Sequence, residues 1–63
     1  MSVVLYKLKG AAMSHLEREM MEKEIPFRVI EDLPELELYP ALEINGEILD
    51  YKEAKEWVEN WQV

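Results

Sequence analysis

The chain has no cysteine, two glycines, three prolines and a single histidine among its 63 residues. Without thiols there is no disulfide framework, no thiolate metal ligand and no thiol nucleophile. Packing alone must hold a domain whose size buries only about 60% of the surface its unfolded chain exposes. One histidine, His15, falls short of the three or four ligands of a zinc site, so no metal is expected. No apolar run approaches the roughly 20 residues needed to cross a bilayer, and the start lacks the pattern of a secretory signal, so the expectation is a cytoplasmic protein without a membrane partner. Positive charge is scarce too. Seven basic against fourteen acidic residues leave a net charge of −7, which repels the phosphates of nucleic acid and of anionic lipid.

What is present is patterned. About half the residues are apolar and a third are charged, in short periodic groups, which is the composition of a folded domain. Residues Ser2 to Leu8 are β-branched and aromatic with one lysine, as expected of a strand in the middle of a sheet. From Ala11 to Glu24 the residues Ala12, Met13, Leu16, Met20 and Met21 recur at helical spacing, with Glu17, Arg18, Glu19, Glu22 and Lys23 on the other side. Ile25-Pro26 closes that helix, because proline clashes with a continuing turn. A second strand follows over Phe27 to Glu31, and a proline at its start suits a sheet edge.

The acidic stretch Asp32 to Leu38, interrupted by Pro34, reads as a connection with at most one helical turn. Ala41 to Asn45 and Glu47 to Asp50 flank Asn45-Gly46, the strongest short signal for a two-residue hairpin. Asp50 and Glu53 have capping-box spacing, and behind them Tyr51, Ala54, Trp57, Val58 and Trp61 line one side of a second helix. The expected architecture is one α/β domain spanning 1–63, ordered β-α-β-β-β-α. Its sheet is mixed and four-stranded, in the order 2-1-3-4, with a right-handed βαβ crossover and two helices on one face.

Several blocks in this order resemble a glutaredoxin of the thioredoxin-fold superfamily. Val3-Val4-Leu5-Tyr6 and Gly10 are similar to the family's first strand and the turn before its Cys-x-x-Cys motif. Leu16 and Ile25-Pro26-Phe27 are similar to the helix and strand after it. Tyr39-Pro40-Ala41-Leu42 and Ile44-Asn45-Gly46 resemble the cis-proline segment and its hairpin. The likeness covers nearly the whole chain, each block being weak alone and informative in sequence with the others.

Two departures accompany the likeness. The positions matching the motif cysteines are Ala11 and Ser14. Thiol-disulfide exchange needs a thiolate to attack and a second thiol to resolve, so the chain as written has no catalytic residue for it. Natural loss and deliberate replacement of the cysteines stay open at this point. The helix that the family carries between its second strand and its proline segment has no room in the ten or so residues before Tyr39. Its absence would leave one sheet face uncovered. Arg28 and Glu43, charged near the middle of their strands, agree with such a face.

The resemblance implies a ligand site in which Lys7, Lys9, Met13, Tyr39 and Pro40 meet the start of the first helix. Glutathione or a protein disulfide substrate is the implied partner, and no cofactor is required. A cis Tyr39-Pro40 bond belongs to that picture, whereas most prolines in loops are trans. The alternative is a non-catalytic binding or regulatory module that uses the uncovered face, as in a homodimer, or the Tyr39-Pro40 edge. Each feature also has a plainer reading. Ser14 with Glu17 is a capping box, His15 is a solvated helical side chain, Lys7 and Lys9 are solvated turn residues, and Trp57 and Trp61 pack in the core. The family's Gly-Gly-Asp grip on glutathione is not evident, since Glu47-Ile48-Leu49-Asp50 stands in its place.

Overall fold

The structure is a computed structural model, and it describes residues 2–32 and 39–62. Six elements follow in chain order: β1 Val3–Lys7, α1 His15–Glu22, β2 Arg28–Glu31, β3 Ala41–Ile44, β4 Glu47–Leu49 and α2 Tyr51–Glu59. They build the expected mixed sheet, ordered β2-β1-β3-β4. β1 pairs parallel with β2 and antiparallel with β3, and β3 pairs antiparallel with β4. The residues 33–38, where the connecting turn and the missing middle helix were expected, lie outside the described part. Among the described residues no helix stands between β2 and β3.

Alternation along the strands decides which side each residue faces. Val3, Leu5 and Leu42 share one face and meet Leu16 and Met20 of α1 and Ala54 and Val58 of α2 in a single buried cluster, so both helices cover that face. Phe27, Ile44, Leu49, Trp57 and Trp61 complete its rim. The two tryptophan rings lie 5.2 Å apart at 51°, a tilted packing favourable to aromatic pairs. The indole N–H of Trp61 is buried with no hydrogen-bond partner among the described residues.

The opposite face carries Val4, Tyr6, Arg28, Ile30, Ala41, Glu43 and Ile48 by the strand register. It is not the uncovered surface that the sequence suggests. Val4, Tyr6 and Ala41 at its centre are 2%, 6% and 1% exposed, whereas Arg28, Ile30 and Ile48 towards the margins are open. The Tyr6 hydroxyl donates to Glu43 Oε1 at 2.8 Å, so the charged residue in mid-strand has a partner.

Local rules account for the element ends. Asn45 and Gly46 both have positive φ, as a two-residue hairpin turn requires, and the Ser2 N–H donates to Asn45 Oδ1. Asp50 and Glu53 make both halves of a capping box at α2. α1 is shorter than the apolar spacing predicts. It begins at His15, because Ser14 is extended and its hydroxyl accepts the Glu17 N–H, and Ala11 to Ser14 are not helical. Met13 and Met21, expected on the apolar stripe, are exposed, leaving Leu16 and Met20 as the buried pair.

The far end of α1 stops before Pro26 is reached. The Glu24 N–H donates to the Met21 carbonyl and the Ile25 N–H to the Met20 carbonyl, with Glu24 in the left-handed region at φ 58. This is a Schellman closure, and Ile25 and Met20 both belong to the buried cluster. Lys23 reaches from there to α2, donating to the carbonyls of Val58 at 2.7 Å and Glu59 at 3.3 Å. It thereby adds a cationic donor at the C-terminal end of α2, where the Val58 carbonyl also accepts the Trp61 N–H.

Candidate functional site

Where β1 ends, where α1 begins and where the chain enters β3, the described residues form an open cleft of about 170 Å³. Lys7, Leu8, Ala11, Ala12, Ser14, Glu17, Tyr39 and Pro40 line it. The Tyr39-Pro40 peptide is cis, as expected from the proline segment. Topology explains the meeting. β1 and β3 are antiparallel neighbours, with Tyr6 opposite Ala41, so the residues just after β1 lie beside those just before β3. The loop after β1 turns at Gly10, whose φ of 78 suits a residue without a side chain, and the Ala11 N–H donates back to the Leu8 carbonyl.

Lys7, Ala11, Ser14, Tyr39 and Pro40, drawn from the sequence as site residues, are thus brought together. Lys9 and Met13 are not part of the lining. The Lys9 N–H is tied to Asp32 Oδ1 at 2.8 Å, fixing the loop against the end of β2, and Met13 is exposed. Ala11, four residues before the first helical residue, lies outside the helix, and Ser14 is its N-cap. His15 is largely exposed, its Nε2 3.8 Å from Glu19 Oε2.

The sequence reading missed Leu8, Ala12 and above all Glu17. Glu17 does not reach back to its cap as a full capping box would. Its carboxylate accepts from Lys7 Nζ at 3.0 Å, and the two side chains are only 11% and 18% exposed. The signal was present in strand parity. Lys7 alternates with Val3 and Leu5, so it points to the helix-covered face, where an ammonium needs a counter-charge. Glu17, one turn into the helix above, supplies it.

Chemically, the cleft has apolar walls from Leu8, Ala11, Ala12 and Pro40, a phenol-bearing residue in Tyr39 and one internal ion pair. Ala11 offers no heteroatom, and the Ser14 oxygen is engaged in holding the first turn of α1. Among the described residues no three histidine, aspartate or glutamate side chains converge as a metal site would need, and no helix is long and apolar enough to cross a membrane. The chain matches no protein-family model, no curated protein and no solved structure.

Proposed function

We propose that this chain is a glutaredoxin-like domain that performs no thiol-disulfide chemistry of its own and works by binding at the cleft between Ala11–Ser14 and Tyr39-Pro40. One observation carries the reading. Two pairs of positions singled out by the family resemblance, 11 with 14 and 39 with 40, are distant from each other in sequence and line one cleft at the start of α1. The sheet order and the two helices on one face agree with a scaffold of that kind.

In such a scaffold a thiolate at position 11 would attack a substrate disulfide and a thiol at position 14 would resolve the mixed disulfide. Two protein thiols would become one disulfide while the substrate disulfide became two thiols. Alanine and serine remove both participants and leave the surroundings intact, so what survives is recognition. Glutathione and an extended polypeptide are the two ligand classes the reading admits.

The test restores the chemistry. The double variant Ala11→Cys/Ser14→Cys is assayed for reduction of a small mixed disulfide with glutathione, glutathione reductase and NADPH, beside each single variant. Turnover by the double variant above the uncatalysed rate is expected. A folded double variant with no turnover would overturn the reading.

A further inference from the structure

We infer that the ligand of this cleft is an extended peptide presenting one aromatic or large aliphatic side chain next to a basic residue, in preference to glutathione. The inference rests on the cleft being the binding surface. Its volume of about 170 Å³ is close to the roughly 150 Å³ of an apolar cavity that accepts a benzene ring. Leu8, Ala11, Ala12 and Pro40 give that space an apolar lining. One ring or branched aliphatic side chain therefore fits, and its transfer from water supplies the driving force.

Charge decides against an anion. Glutathione is anionic at neutral pH, with two ionised carboxylates and one ammonium. Lys7, the one cation among the described lining residues, is already paired with Glu17 at 3.0 Å and shielded from solvent. Glu31 stands beside Lys7 in the β1–β2 register and shares its face. Asp32 follows, holding the Lys9 N–H and donating its own N–H to the Lys7 carbonyl. Glu17 in the lining, with Glu31 and Asp32 at the neighbouring end of β2, thus outnumber Lys7 and Lys9 at this end of the sheet, within a chain of net charge −7. An entering carboxylate would have to displace Glu17 from Lys7 or lie against these acids. A basic side chain beside the inserted apolar one is complementary to the same groups.

The test is an amide-resonance titration of the intact ¹⁵N-labelled chain with four probes at matched concentrations. They are an acetylated and amidated hexapeptide with a central Lys-Phe, the same peptide with alanine for phenylalanine, the same peptide with glutamate for lysine, and reduced glutathione. The Lys-Phe peptide is expected to move the amides of Ala11, Ala12, Ser14 and Tyr39. Loss of the ring should weaken binding by roughly tenfold or more, the glutamate peptide should bind more weakly, and glutathione should leave these amides unmoved. Glu17→Gln, which removes the carboxylate paired with Lys7, is expected to gain glutathione binding while keeping a dispersed spectrum.

Glutathione moving the cleft amides while the peptide does not would overturn the inference and leave the cleft as the binding surface. No response to either probe would overturn it as well, and the cysteine-restored variant then shows separately whether the glutaredoxin-like reading stands. Failure of a folded Glu17→Gln to gain glutathione binding would remove Glu17 from the explanation and overturn the charge argument.

Discussion

Lys7 Nζ lies 3.0 Å from Glu17 Oε1, and this ion pair joins the end of β1 to the first turn of α1 beneath the candidate cleft. Its side chains are mostly shielded, so it belongs between exposed pairs, contributing about 0–1 kcal/mol, and buried pairs, whose breaking costs about 3–5 kcal/mol. Glu17→Gln is expected to lower the unfolding free energy by about 1–2 kcal/mol, read from urea denaturation followed by tryptophan fluorescence. An unchanged midpoint would mean that water solvates the pair in solution.

On the other sheet face, the hydrogen bond to Glu43 raises the Tyr6 hydroxyl above its ordinary pKa near 10, and burial and the Glu43 charge act in the same direction. Arg28 opposes them. A raised folded-state value means that the folded chain holds this proton more firmly than the unfolded chain. The stabilisation is therefore complete below the unfolded value and lost as pH rises through the folded one. Difference absorbance titration of the wild type against Tyr6→Phe should give a Tyr6 midpoint above 10, and Tyr6→Phe should lack the wild-type loss of stability in that range. A midpoint at or below 10 would refute the Tyr6–Glu43 contact.

Glu24 closes α1 in a left-handed conformation that glycine adopts without steric penalty. Among the described residues the Glu24 side chain makes no hydrogen bond or ion pair that offsets that penalty, so Glu24→Gly is expected to stabilise the domain by about 0.5–1 kcal/mol, or several degrees in Tm for a domain of this size. A destabilised Glu24→Gly would show that α1 does not end in this closure.

The two helix starts are capped unequally. Asp50 and Glu53 exchange both capping hydrogen bonds, whereas at α1 Ser14 accepts from the Glu17 N–H while the Glu17 side chain turns away to Lys7. Asp50→Ala and Ser14→Ala should each cost about 1 kcal/mol. Glu53→Gln should add a smaller loss, measured by the same denaturation. A neutral Asp50→Ala would contradict the cap.

The sheet was legible from local signals. β-branched runs marked the strands, Asn45-Gly46 fixed the hairpin, and an apolar first strand followed by an edge proline placed β1 inside and β2 outside. The limits of α1 were less legible. Apolar spacing continues from Ala12 to Met21 even though Ser14 competes for the first turn and Glu24 closes the last, so periodicity overstated the helix at both ends. At the site, resemblance located Ala11, Ser14, Tyr39 and Pro40, which sequence distance alone would not have joined. It did not supply the Lys7–Glu17 pair, because that contact depends on strand parity and helix placement together. The expectation of an uncovered sheet face failed at the centre of that face: Arg28 is exposed as expected at the edge, yet Val4 between it and Glu43, and Tyr6 and Ala41 in the next row, are buried.

We propose that positions 11 and 14 stand where a redox pair would, with alanine and serine in place of its thiols. A disulfide needs Cα atoms about 4.4–6.8 Å apart, so cysteines at these positions pair only if the backbone holds them in that range. The most direct measurement equilibrates Ala11→Cys/Ser14→Cys with glutathione buffers and reads the reduced fraction by thiol labelling. The account predicts an intramolecular disulfide with a reduction potential of roughly −180 to −270 mV, the range of thioredoxin-type and glutaredoxin-type dithiols. A folded double variant that forms no intramolecular disulfide would contradict it.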